Sequence, residues 1–183
     1  AATGIAAMAC LFKALSQKQS DDVGNFYNLF VRSCTRILLP LSLVVALLLV
    51  WRGTPATFDG AAHITTLEGQ AVSVARGPVA PMVAIKQLGT NGGGYFGPNS
   101  THPFENPDYL TNAIENLSIL IIPIALVFAF GFYLGKPRIG YAFFAAMTLV
   151  FVVFVAMASY FEMSGNPRIV QMGADAAAGN MEG

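Results

Sequence analysis

A glycine-rich segment in the middle of the chain carries the residues best suited to chemistry. Gly89 is followed by Thr90, Asn91 and then three successive glycines, Gly92, Gly93 and Gly94. Because glycine takes positive φ freely, such a run lets neighbouring carbonyls turn toward a common axis. Carbonyl oxygens arranged in this way can replace the water around a monovalent cation, as in potassium channel filters. The pattern predicts a cation filter that acts through main-chain oxygens of this segment.

Three carboxylates follow these glycines along the chain. Glu105, Asp108 and Glu115 are expected near the outer mouth of the filter, where they would raise the local cation concentration. Asp108 also belongs to a run typical of a helix start, with Asn106 as the N-cap and Pro107 in the first helical position. The pattern leaves both roles open for Asp108.

Other kinds of chemistry are disfavoured. Lys86 precedes the glycines and is expected to pair with a nearby carboxylate. His63 and His102 have no cysteine or second histidine at the spacing of metal ligands. Cys10 and Cys34 lie close to the basic stretch predicted below to be cytoplasmic, which favours two packed thiols over a disulfide. The phosphate-binding pattern GxxxxGK[ST] is absent, and no catalytic residue is predicted.

The composition indicates that much of the chain is surrounded by lipid and not by water. Only 11% of the 183 residues are charged, less than half the share usual in soluble domains. The mean hydropathy is +0.58. Ten acidic and ten basic residues cancel, so no basic surface favours nucleic acid as a partner. We therefore expect an integral membrane protein.

The apolar segments are long enough to cross a bilayer, for which about 20 residues are needed. Residues 1–15 are predicted to be the end of a truncated transmembrane helix. Full spans are predicted at residues 34–51, 107–135 and 141–161. Pro123 lies in the middle of the second of these spans, which predicts a tilt or a kink there.

Positive charges predict the orientation of the spans. Lys136 and Arg138 place the short connection between the last two spans in the cytoplasm, and other basic residues place the linker at 16–33 on the same side. The long stretch at 52–106 must then start and finish outside. Residues 162–183 are expected to be a truncated extracytoplasmic loop.

The long outer stretch is predicted to have four parts, which are a loop at 52–77, a pore helix at 78–89, the filter at 90–94 and an outer segment at 95–106. Residues 61–76 alternate around Glu68 and Gly69, which predicts a small β-hairpin. The pore helix is too short to cross a bilayer, and irregular backbone at membrane depth must be buried in protein or line water. The predicted fold is an all-α integral membrane protein in which residues 34–135 form a channel-like repeat of span, pore loop and span.

One such loop cannot surround an ion, so a filter needs several loops around an axis. The sequence favours repeats within one chain, because another outer stretch rich in Gly, Asn and Ala follows the 141–161 span. We therefore expect this chain to be a fragment, truncated at both ends.

Longer motifs resemble a known family. The string IKQLGTNGGGYFGPNSTHPFENP, residues 85–107, is similar to the second pore loop of the channel-like, potassium-binding A subunit (KdpA) of the bacterial Kdp potassium-transporting ATPase. LLPLSLVVALLLVWRGTP and the final GNMEG are similar as well, so that the resemblance covers essentially the whole chain.

The resemblance implies a member of the superfamily of potassium transporters, with four repeats of span, pore loop and span in a bacterial plasma (inner) membrane. The chain would hold the end of the first repeat, all of the second and the opening span of the third. It implies that Thr90, Asn91, Gly92, Gly93 and Gly94 bind K⁺, and that the subunit passes K⁺ to a P-type ATPase subunit that hydrolyses ATP. Small accessory subunits would complete the complex.

Two other classes of function stay open on the residues alone. A secondary cation transporter with a broken helix at its binding site would look similar in a single repeat. A membrane assembly protein would use the glycines only for close packing. Replacing Gly93 separates these classes from an ion-selective pump subunit.

Overall fold

The computed structural model describes residues 1–17, 22–164 and 171–173. Contacts divide the chain into two compact units, Ala1–Leu126 and Val127–Gly183. The described elements follow in the order α1 (Ala2–Ser16), α2 (Phe26–Ser33), a π-helical turn (Cys34–Leu38), α3 (Leu39–Trp51), β1 (Ala62–Thr65), β2 (Ala71–Val74), α4 (Val79–Leu88), α5 (Tyr109–Tyr133) and α6 (Pro137–Ser164).

Helices long and apolar enough to cross a membrane occur at the three predicted places, Phe26–Trp51, Tyr109–Tyr133 and Pro137–Ser164. The prediction of a mostly helical membrane protein is confirmed at this level. The first of them begins earlier than predicted, because the side-chain oxygen of Asn25 caps it by accepting a hydrogen bond from Asn28 N–H at 3.0 Å. Residues 26–33 of the expected linker are therefore helical. Residues 18–21 of that linker and most of the final loop, 165–170 and 174–183, lie outside the described residues.

The predicted hairpin is confirmed. β1 and β2 pair antiparallel, from Ala62 opposite Val74 to Thr65 opposite Ala71. At the turn Gly69 has a φ of 82°, and its N–H donates to Thr66 O at 3.0 Å. Glycine is favoured here because a side chain disfavours positive φ.

The half-length helix α4 forms the centre of the core of the first unit. Its residues Val79, Ala80, Val83 and Ala84 are completely buried. They belong to one cluster with residues of α1, α3 and α5, namely Ile5, Val45, Leu49 and Ile122. An isolated helix of ten residues is marginal in water, so this packing is what stabilises α4.

In the second unit, the end of α5 touches the start of α6 through glycines. A Cβ built on Gly131 would lie 2.8 Å from Gly140 N. The spacing of Gly131 and Gly135 predicts close helix packing, and the structure places only Gly131 in such a contact. Gly135 ends the helix instead, with a φ of 65°. Its N–H donates to Phe132 O at 3.0 Å and Lys136 N–H donates to Gly131 O at 2.9 Å, which is a Schellman cap.

We expect Gly131→Ala to lower the thermal unfolding midpoint of the full-length protein in detergent, because the added methyl group would overlap backbone atoms of α6. Overpacking of this kind costs about 1–3 kcal/mol. Gly135→Asn is the matched control, since asparagine tolerates the left-handed cap and open space surrounds this position. Equal midpoints for both variants would contradict the close contact.

Candidate ion-binding loop

The glycine-rich loop begins where α4 ends. Thr90 N–H donates to Gln87 O at 3.0 Å, and Asn91 N–H donates to Lys86 O at 3.1 Å. This is again a Schellman cap, which places a left-handed residue directly after the helix, usually glycine. Thr90 takes that position with a φ of 67°. Because this conformation is strained for a β-branched residue, the surrounding contacts must enforce it.

The left-handed backbone continues through every residue of the predicted filter. φ is 70° at Asn91, 109° at Gly92, 95° at Gly93 and 153° at Gly94. L-residues visit this region singly and not in runs. The run of positive φ from residue 90 to residue 94 therefore marks a segment whose backbone is set by its surroundings and by its glycines.

Gly94 has no room for a side chain. A Cβ at this position would lie 2.3 Å from Gly97 O and 3.1 Å from both Glu105 Oε1 and Lys86 Nζ. Around the two preceding glycines there is open space within 4 Å. The last residue of the predicted filter thus lies directly against a pair of charged side chains, whereas the middle of the filter is open.

This pair is a buried salt bridge between the helix that precedes the loop and the segment that follows it. Lys86 Nζ lies 3.0 Å from Glu105 Oε2, and the two side chains are 1% and 0% exposed. Lys86 also donates to the hydroxyl of Ser100 and to Gly97 O at 3.5 Å. The carboxylate expected as the partner of Lys86 is therefore Glu105.

The other oxygen of Glu105 binds the backbone just after the filter. Oε1 accepts hydrogen bonds from Tyr95 N–H at 2.8 Å and from Phe96 N–H at 2.9 Å. Burial acts to raise the pKa of the Glu105 carboxyl, but the Phe96 N–H and the Lys86 ammonium outweigh it, and the pKa is lowered from its ordinary value. Glu105 is an ionised acceptor at neutral pH.

A second buried carboxylate lies beside the first. Glu115, which is 3% exposed, accepts a hydrogen bond from Gln87 Nε2. The same nitrogen donates to Ser100 Oγ at 3.1 Å, so Ser100 joins the two clusters. Further protein can only lower the exposure of these groups. Glu105 and Glu115 are thus buried, and their position near the outer mouth of the filter stays a prediction.

Asp108 caps α5 and connects it to the end of α3. Its Oδ1 accepts a hydrogen bond from Thr111 N–H at 2.7 Å, and its N–H donates to Thr111 Oγ1 at 3.0 Å, as in a capping box. The prediction of Asn106 as the N-cap is therefore wrong, because Asn106 Oδ1 instead accepts from the Thr111 hydroxyl at 2.9 Å. Asp108 Oδ2 accepts from Arg52 Nε at 3.0 Å. The Thr111 N–H, and after it Arg52, lower the pKa of Asp108.

The two histidines are not brought together. The Nδ1 atom of His102 accepts a hydrogen bond from Phe104 N–H at 3.1 Å, and its ring stacks on Phe96 with centroids 3.8 Å apart. His63 lies in β1. Within residues 1–17, 22–164 and 171–173, no group of three or more His, Cys, Asp or Glu side chains could hold a metal ion.

Sequence reasoning missed Gln87 and Ser100 as parts of this site. A signal was present, because Lys86 and Gln87 are adjacent polar residues in an otherwise apolar half-length helix. Each of these residues as a whole is only 4% exposed, and buried polar groups need partners.

The apolar helices and the buried polar network behind a strained loop define the chain as part of a helical membrane protein. A family model described as potassium-transporting ATPase A subunit matches residues 1–183. The chain belongs to this family, in agreement with the resemblance noted from its motifs.

Curated relatives from several bacteria match the whole chain. The identity is 55% with a protein of Phocaeicola vulgatus, 52% with one of Flavobacterium psychrophilum and 48% with one of Yersinia enterocolitica. Each of these proteins is named a potassium-transporting ATPase potassium-binding subunit. The chain spans 32% of the length of each relative, which is about a third.

Proposed function

We propose that the chain is part of the potassium-selective subunit of an ATP-driven potassium uptake complex, and that the main-chain oxygens of residues 90–94 bind K⁺. The observation that carries this proposal is the run of positive φ over those residues. The sequence had singled out the same segment for its glycines. Such a backbone can direct carbonyl oxygens toward a cation, where they replace the water of its hydration shell.

The position of the loop supports the proposal. The half-length helix α4 ends at Leu88, so the C-terminal, partly negative end of its dipole lies next to the loop, which favours a cation. Residues 34–135 would form one span, pore loop and span repeat, and further repeats of the full-length protein would supply the other loops around the ion. The names of the relatives support K⁺ as the cargo.

The same family supports a proposal for the partners and the location of the full-length protein. We place the full-length protein in the bacterial plasma (inner) membrane, where it would select K⁺ from outside and pass it to a P-type ATPase subunit. That subunit would hydrolyse ATP, and small accessory subunits would complete the complex. This chain itself would be non-catalytic.

Replacing Gly93 with aspartate in the full-length protein tests the proposal. We expect the variant complex to lose discrimination between K⁺ and Na⁺ by about tenfold or more, because an L-residue at a φ of 95° is strained by about 1–3 kcal/mol and would turn the neighbouring carbonyls. The measurement is ATP hydrolysis by the co-purified complex as a function of each ion.

Gly60→Asp is the control, since Gly60 also has open space around it but lies outside the loop. Unchanged uptake and discrimination in Gly93→Asp would favour an assembly protein. Lost discrimination in a protein that transports without any co-purifying ATPase activity would favour a secondary transporter.

A further inference from the structure

The buried carboxylate of Glu105 determines where two peptide groups point. No cis peptide bond occurs in the described residues, and in a trans peptide the N–H and the C=O point in opposite directions. Tyr95 N–H points at Glu105 Oε1 at 2.8 Å. The carbonyl of Gly94, which belongs to the same peptide group, must therefore point away from Glu105.

The next peptide group is held in the same way. Phe96 N–H points at the same carboxylate oxygen at 2.9 Å, so the carbonyl of Tyr95 also points away from it. One side chain thus orients the carbonyl of the last predicted filter residue, Gly94, and the carbonyl that follows it. Hydrogen bonds to a charged acceptor are about twice as strong as neutral ones, which makes this orientation costly to change.

Lys86 holds Glu105 in place from the other side. Lys86 Nζ binds Oε2 at 3.0 Å, while Oε1 accepts the hydrogen bonds from the backbone. Each carboxylate oxygen therefore has its own partners. Lys86 lies in α4, before the loop, and Glu105 lies after it. The salt bridge therefore fixes the separation of the two ends of the loop.

We propose that Glu105, held by Lys86, is a positioning residue that sets the preference of the loop for K⁺ over Na⁺ by orienting the Gly94 and Tyr95 carbonyls. This inference rests on the proposed function of residues 90–94. Selectivity depends on the geometry and field of the coordinating carbonyls. A change in their direction should therefore change the preference between ions more than the maximal rate.

Glu105→Asp in the full-length protein within its complete complex is the direct test. The shorter side chain keeps the charge for Lys86 but withdraws the acceptor from the two N–H groups. We expect the ratio of apparent K⁺ to Na⁺ affinities, measured by ion-stimulated ATP hydrolysis, to fall about tenfold. The rate at saturating K⁺ should stay within about twofold of the wild-type rate.

Glu68→Asp is the control for shortening a glutamate, because Glu68 is exposed at the turn of the hairpin and lies outside the loop. Its affinity ratio should stay within about twofold of wild type. A wild-type ratio in Glu105→Asp, or an equal loss of the ratio in both variants, would overturn the positioning role. If Glu105→Asp keeps the wild-type ratio while Gly93→Asp loses discrimination between K⁺ and Na⁺, only the positioning role fails. If Gly93→Asp retains this discrimination, the proposed function itself fails.

A double variant, Lys86→Met with Glu105→Gln, tests the positioning role of Glu105 if Glu105→Asp fails to assemble. It removes both charges of the salt bridge but keeps an amide oxygen that can accept hydrogen bonds from Tyr95 N–H and Phe96 N–H. A K⁺ preference close to wild type would support positioning. A lost preference, or failure of this variant to assemble as well, would show that the pair serves charge balance or folding alone and would overturn the inference.

Discussion

Gly94→Ala is expected to weaken K⁺ binding by the full-length protein about 100-fold or more, the largest effect of any single methyl group in this loop. The left-handed φ of 153° disfavours alanine by about 1–3 kcal/mol. In addition, the new Cβ would lie 2.3 Å from Gly97 O, a backbone atom that cannot move aside without displacing the loop. Overpacking adds a similar free energy. Calorimetric titration of the purified complex with K⁺ measures the change.

Gly97→Ala separates the loop geometry from the mere presence of a methyl group. Gly97 lies three residues further along and has open space around it, so its alanine variant should bind K⁺ within about threefold of wild type. Wild-type affinity in Gly94→Ala would show that the backbone of residues 90–94 takes no part in binding.

Lys86→Met is expected to destabilise the full-length protein by about 3–5 kcal/mol, since it leaves Glu105 as a buried charge without its partner. Both side chains are almost fully buried, at 1% and 0% exposure. The expected result is a large fall in the amount of folded protein in membranes and in the thermal unfolding midpoint in detergent.

A second substitution should reverse much of this loss. Lys86→Met combined with Glu105→Gln removes both charges of the pair and should recover more than half of the stability, because the two residues are directly coupled. Lys136→Met, at an exposed position, is the control for removing a lysine and should be close to neutral. A single Lys86→Met variant as stable as the double variant would rule out a buried ion pair.

Local features of the structure were predictable because their causes are local. The candidate spans follow from long apolar stretches, and the hairpin follows from alternating residues around Gly69. A half-length helix followed by glycines between two spans pointed to residues 92–94, since only glycine adopts positive φ without strain. The early start of the first span was missed. Asn25 is a good N-cap, but it lies among polar residues that are typical of a linker.

The cap of α5 shows where local reasoning reaches its limit. Asn106 and Asp108 are both good N-cap residues, and their spacing does not choose between them. Asp108 is the cap in the structure. There its second oxygen also binds Arg52, which lies 56 residues earlier, and pairing over such a distance is not visible in a short window of sequence.

The amino-acid sequence by itself determined that the chain lies in a membrane, that a half-length helix runs into a glycine-rich segment, and that Lys86 needs a carboxylate. Only the tertiary structure decided that this carboxylate is Glu105 and that its other oxygen holds Tyr95 and Phe96. The physical reason is that helix and turn preferences arise from neighbouring residues, whereas burial selects the partner of a charge from groups far apart in the chain. Glu105, Asp108 and Glu115 were all expected near the mouth of the filter, and the tertiary structure gave each a different partner.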